Sequence, residues 1–205
     1  MFSGGVDSSG VLHKLITDED YHDRELIVQH IILQNRENRA QAEMESVTKI
    51  IEYYQKHYPS RPFTYTESVF NTTGFAPLRS SRFPFDMDVC AFMASNISVA
   101  RKDIRQVAMG RTKTDVDSGG ENFQRRMKRA QAVFKAVYAL EPEEAPTYIF
   151  PAINMTKQQI WEMLPPEVRA ASWYCRQPIY KEDGSAIACQ KCITCKEVAE
   201  FLPAQ

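Results

Sequence analysis

No apolar run in this 205-residue chain approaches the ~18 residues of a membrane span. No charged segment followed by an apolar stretch opens it, so no secretory signal is read and the expected location is, by default, the cytoplasm. Neither charge dominates. Twenty-five Lys and Arg face 26 Asp and Glu, for a formal net charge of −1. That excludes a uniformly basic surface made to coat nucleic acid, but leaves room for a local patch. Internal repeats and low-complexity tracts are absent. His13, His22, His30 and His57 have no ligand spacing. With five cysteines and no secretory context, a disulfide framework is not expected.

The length suits one sizeable α/β domain with a small appendage. Val11, Leu12, Leu15 and Ile16 recur as one face of a short helix, and LIVQHIIL (26–33) reads as a strand covered on both faces. A helix over 39–57 carries Ala40, Met44, Val47, Ile51 and Tyr54 on one stripe, and FTYTESV (63–69) is a second strand. The segment FPFDMDVCAFMASNISVARK puts Val89, Phe92, Met93 and Ile97 on a third helical stripe. QVAMG (106–110) is a short strand. The helix after it buries Phe123, Met127, Ala130, Phe134 and Val137. TYIFP (147–151) is the last core strand, and Thr156 with Gln159 forms a capping box for KQQIWEML. Alternating strands and amphipathic helices predict a mostly parallel sheet with helices on both faces. The expected division is 1–170 for this domain and 171–205 for a cysteine-bearing segment.

The stretch MFSGGVDSSG carries the first chemistry. A glycine-rich turn into a helix aims several N–H groups and the positive helix end at one point, which suits an anionic oxygen. Gly4 and Gly5 let the backbone approach a phosphate, Ser3 and Ser8 add hydroxyls, and Asp7 can help hold Mg²⁺. The lysine of GxxxxGK[ST] is missing, and GxGxxG does not fit. The loop matches SGGxDS, the signature of the PP-loop (N-type) ATP pyrophosphatases. Five specified residues match by chance on the order of once in a million positions. The resemblance implies a Rossmann-like domain of the adenine nucleotide alpha hydrolase type, which grips the pyrophosphate of ATP while the α-phosphate is attacked. Only Met1 and Phe2 precede the loop, so either the strand that feeds it is unusually short or the sequence starts late.

Four of the five cysteines fall within the last 31 residues. Cys189, Cys192 and Cys195 follow a CxxCxxC spacing, and the DG turn in KEDGSAI can return Cys175 to them. Four thiolates suffice for a closed, structural Zn²⁺ site, though an iron–sulfur cluster could use the same ligands. Cys90 sits alone in an apolar context, as a small hydrophobe.

Loop and tail together resemble the 7-cyano-7-deazaguanine synthase (QueC) family of the queuosine pathway. SWYCRQPI and ACQKCITCKEV resemble the family's zinc-proximal segments, PAINMTKQQIWEML the helix before them, and GRTKTD its glycine-started loop, keeping Gly110 and Asp115. The resemblance implies an AMP- and pyrophosphate-forming ligase that joins ammonia to 7-carboxy-7-deazaguanine through an adenylate. A second ATP then dehydrates the amide to a nitrile. It implies ATP, Mg²⁺ and Zn²⁺ as cofactors and often a homodimer. Ser3, Gly4, Gly5, Asp7, Ser8, Gly110 and Arg111 would meet the nucleotide, and Arg36 and Asp115 the substrate.

The departures cluster on the substrate side. VDSGGENFQRR follows Asp115 in place of a GYPDCR segment, FPFDMD stands for Pro-x-Arg-Asn, and ILQNR keeps only Arg36 of YGQR. Two further readings therefore stay open. One is ATP activation of a different acceptor, such as a deazaguanine on DNA or protein, or a tRNA. The other is a zinc-containing assembly module with a degenerate nucleotide loop. The run Arg125, Arg126, Lys128 and Arg129 is read as a solvated face or a contact for nucleic acid.

Overall fold

The computed structural model describes residues 1–78, 85–139 and 145–201. Phe83 and Pro84 of the FPFDMD segment, and residues 202–205 of the tail, lie outside them. After the glycine loop comes α1 (Val6–Thr17), whose Val11, Leu12, Leu15 and Ile16 are buried as their spacing predicts. β1 (Ile27–Gln34) is buried from Val28 to Leu33, as a continuous apolar run requires when both sheet faces are covered. β1 pairs in parallel with β2 (Thr64–Asn71) over eight residues, and α2 (Ala40–His57) connects them.

In α2 the buried stripe runs through Glu43, Ser46, Val47, Ile50, Ile51 and Tyr54. Met44, expected on that stripe, is exposed, because the polar Glu43 turns inward to pair with Arg39. α3 (Asp86–Ala100) buries Val89 as expected, but with it Ala91, Ala94, Ser95 and Ser98, leaving Phe92 outside. Small residues win this face because it packs on α4 (Lys113–Val137), where Ser95 Oγ donates to Phe134 O at 2.7 Å. The expected stripe of α4 is buried or half-buried throughout. The helix starts earlier than its periodicity suggested, taking in the KTD of GRTKTD, and breaks at Gly120 (φ +48°, ψ −141°).

β3 (Gln106–Ala108) and β4 (Thr147–Ile149) form a second parallel pair. α5 (Lys157–Met163) carries the predicted Thr156–Gln159 capping box. Pro165 and Pro166 close it but also open a short helix, α6 (Pro166–Ala171), where proline at the first position leaves no needed donor missing. The tail adds an antiparallel hairpin of β5 (Ile179–Tyr180) and β6 (Ala186–Ile187), then α7 (Ile193–Ala199). Seven helices and two parallel strand pairs make the described residues an α/β protein. None of the described helices is long and apolar enough to cross a membrane.

The two parallel pairs do not bond directly to each other. Met1 and Phe2 lie between them: Phe2 N donates to Gln29 O at 2.8 Å, and Met1 N to Ala108 O at 3.1 Å. Beyond these residues the space between the β1 and β3 edges opens into a cavity of about 550 Å³. Val11, Leu12 and Leu15 of α1 line it, with Ala94 and Ile97 of α3.

Candidate nucleotide loop and metal centre

Gly5 is the N-cap of α1, so Gly4 and Gly5 deliver the chain into the helix. Gly4 has φ +70°, and a Cβ there would stand 2.7 Å from Ser46 Oγ, so the turn tolerates no larger residue. Ser46 Oγ donates to Gly4 O at 2.8 Å, which fixes the loop to α2. Within the loop, Ser3 N donates to Ser8 Oγ at 3.3 Å, and Ser8 Oγ donates to Gly5 O at 3.0 Å. Ser8 is buried; Ser3 is exposed.

Gly110 comes against this loop from the end of β3: a Cβ on it would be 3.1 Å from Ser8 N. Next to it, Thr112 and Asp115 form a reciprocal capping box at the start of α4. Asp7 and Asp115 thus each occupy the first turn of a helix, where the helix dipole favours a carboxylate. Between them stands Lys157, 4.0 Å from Asp7 Oδ2, 3.5 Å from Asp115 Oδ1 and 2.8 Å from Glu197 Oε2. Burial opposes its charge, but Asp7, Glu197 and Asp115 together raise its pKa.

Burial is also the main reason that Asp7 is pushed up to about 6, with Lys157 acting in the opposite direction. Asp7 Oδ1 and Arg111 Nε are both buried without a hydrogen-bond partner among the described residues. A carboxylate oxygen without a donor and a guanidinium N–H without an acceptor suit a cation and an anion arriving together.

Lys157 was not singled out in the sequence. A signal for it existed: a lysine at the first position of a helix opposes the dipole, so it needs nearby acidic partners. Arg36 is exposed between β1 and α2. Its neighbours Glu37 and Arg39 instead enter a charge cluster. Arg39 meets Glu37 and Glu43 at 2.8 and 2.9 Å and also bonds to Asp86, and Arg176 reaches Glu37 and Asp86. Burial pushes Glu43 up to about 7 even beside Arg39. The basic run on α4 is exposed; Arg129 pairs with Asp88 at 2.8 Å and lies over the Phe85 ring.

The Sγ atoms of Cys175, Cys189, Cys192 and Cys195 all lie within 4.8 Å of one another. Cys192 to Cys195 is 3.4 Å and Cys189 to Cys195 is 3.9 Å. A tetrahedral ion with ~2.3 Å bonds to sulfur sets its thiolates roughly 3.8 Å apart, so the four fit one centre. Backbone N–H groups already point at the sulfurs: Gln177 and Cys189 donate to Cys175 Sγ, and Lys191 and Cys192 to Cys189 Sγ, at 3.2–3.4 Å. Such bonds stabilise thiolate, the form that binds metal. Burial works against charge on Cys192, yet hydrogen bonds from Thr194 and the backbone bring it down to about 6. Trp173 and Tyr174 pack against the cluster.

No family model matches this chain, and no curated protein matches it in sequence. Fold and site define its class: an α/β protein with parallel strand pairs and a four-cysteine cluster able to hold a metal such as zinc.

Proposed function

We propose that the Ser3–Ser8 loop is the pyrophosphate grip of an ATP-dependent ligase of the PP-loop type, built on a Rossmann-like domain. One observation carries this reading: the SGGxDS loop, Asp7, Arg111, Asp115 and Lys157 meet beside the start of α1, with Asp7 Oδ1 and Arg111 Nε unpartnered and buried. Arg111 and the loop amides would take phosphate oxygens, and Asp7 and Asp115 would hold the Mg²⁺ that accompanies ATP.

In the reaction a carboxylate oxygen attacks the α-phosphorus and the bond to pyrophosphate breaks. Ammonia then displaces AMP from the acyl-adenylate to give an amide. For a nitrile, a second ATP adenylates the amide oxygen, which leaves as AMP with loss of the N–H protons. The favoured acid is 7-carboxy-7-deazaguanine. The Glu37–Arg39–Glu43–Asp86–Arg176 cluster stands next to Arg36, in one of the segments that depart from the family's pattern, so the acceptor is the part of the reading to test first. The cysteine cluster is read as structural zinc. Its sulfurs are close enough for a single ion, whereas a multi-iron cluster spreads its thiolates over separate irons.

The test is product analysis with ATP, ammonia and a panel of carboxylic acids headed by 7-carboxy-7-deazaguanine. Acid-dependent release of AMP and pyrophosphate, with an amide or nitrile by mass, is expected. ADP and phosphate, or tight ATP binding with no pyrophosphate from any acid, would overturn the ligase reading.

A further inference from the structure

The four-cysteine cluster is tied to the phosphate loop at both its ends. Two residues before Cys175, Trp173 N donates to Gly4 O at 2.9 Å, and a Cβ on Gly5 would be 3.2 Å from Trp173 O. Two residues after Cys195, Glu197 Oε2 accepts from Lys157 Nζ at 2.8 Å, and that ammonium faces Asp7. The first and last cysteines of the cluster therefore each stand two residues from a contact that reaches the loop. One contact holds the glycines and the other holds the acidic end.

The local structure leaves little slack in either connection. The Trp173 indole N–H donates to Cys175 O at 2.8 Å, so the chain between loop contact and cysteine is itself braced. Cys195 and Glu197 share α7, which has only seven residues. A helix that short has no stability of its own, and one end of it is held by Cys192 and Cys195. A metal that draws the four sulfurs together sets the position of α7, and with it that of Glu197. Without the metal, Glu197 loses its fixed place. Lys157 is then left to Asp7 and Asp115, the carboxylates that would hold Mg²⁺.

We propose that the Trp173 main chain and the Glu197 side chain are positioning groups that couple metal occupancy of the cysteine cluster to nucleotide affinity at the Ser3–Ser8 loop. This rests on reading that loop as a nucleotide site. Coupling of this kind is reciprocal, so bound nucleotide tightens the metal by the same factor.

The experiment compares wild type with Glu197→Gln, each metal-replete and after chelation, by calorimetric titration with Mg·ATP. Glu197→Gln keeps the size of the side chain and all four cysteines, and metal analysis and circular dichroism check that it is loaded and folded. Chelation should weaken Mg·ATP binding at least tenfold in wild type and less than threefold in Glu197→Gln. Equal losses in the two proteins would overturn the role of Glu197, and no loss in wild type would overturn the coupling itself. Amide exchange at residues 4–9 gives a readout that needs no nucleotide: metal removal should accelerate it in wild type. Unchanged exchange sinks the positioning role on its own. Metal-dependent exchange without any ATP binding by replete wild type sinks the nucleotide reading instead.

Discussion

Gly10 of α1 sits directly against Ile160 of α5: a Cβ on Gly10 would fall 2.4 Å from Ile160 Cγ2. This contact sets how near α5 stands to α1, and therefore how near Lys157 stands to Asp7. Two effects compete in Gly10→Ala. Helix propensity favours alanine by ~1 kcal/mol. Against it, Ile160 is fully buried and β-branched, so the overlap must push α5 away, at ~1–3 kcal/mol. The steric term wins. Gly10→Ala should lower Tm by several degrees in a thermal melt and weaken Mg·ATP binding, because Lys157 moves with α5.

Asp7 gives a pH signature. Its pKa in the fold, about 6, lies above the ordinary value of 3.8. The fold therefore favours the protonated acid, and this contribution is fully present below pH ~4. It is lost as pH rises through about 6, beyond which the ionised group is a burden on the fold. Asp7→Asn should accordingly stabilise the protein at pH 7–8, on the order of 2 kcal/mol, and have little effect near pH 4. Denaturant titrations at the two pH values check this. The same substitution should weaken binding of Mg²⁺-loaded nucleotide, since an amide replaces a charged oxygen ligand.

The cysteines divide by role. Cys175→Ser should remove most of the bound metal and lower Tm, because its sulfur is buried and accepts two backbone N–H bonds within the cluster. Cys90→Ala should leave metal content unchanged. Cys90 packs near Ile31, Leu33 and Val89, and burial pushes its thiol up to about 11, so it should also react slowly with thiol reagents in the native state. Metal analysis with thiol counting before and after unfolding separates the two cases.

The cavity between the β1 and β3 edges continues from Met1 and Phe2, with Ile27 and Val28 lining one side and Gln106 and Val107 the other. Phe2 pairs with His30 in parallel, whereas β1 extends back to Ile27 and its lining to Glu25. An extended segment of about four residues joined ahead of Met1 would reach that depth at ~3.3 Å per residue. Both faces there are apolar, from α1 and α3. A fused Val-Ile-Val-Ile extension should raise Tm by at least ~5 °C and slow amide exchange along β1 and β3. A Gly-Ser extension of equal length should do neither.

Much of this arrangement was legible from periodicity, and its failures are local. The β1 run and the α4 stripe came through because each buries a strong, regular apolar pattern. The stripes of α2 and α3 were misplaced at Met44 and Phe92. There a buried Glu43 and a row of small residues decided which face went inward, and neither carries an apolar signal. The glycine loop and the cysteine spacing are compact motifs, readable in one glance at the chain. Lys157, Glu197 and the Arg39 cluster are not: Lys157 and Glu197 are 40 residues apart and Arg39 and Asp86 are 47, and only the fold brings them together.

The apolar interior is not one body. One cluster joins α1, β1, α2, α5 and α6; a second joins α3, β3, α4 and β4. A third, smaller cluster bridges them through Ile31 and Leu33 of β1 and Val89 of α3, and Met1 and Phe2 carry backbone hydrogen bonds to both strand pairs. The two larger clusters thus meet along a narrow seam, where local opening is expected to start. The phosphate loop lies on the first side of it, and Gly110, Arg111 and Asp115 on the second. A ligand gripped from both sides would fasten the seam and raise the cost of that opening.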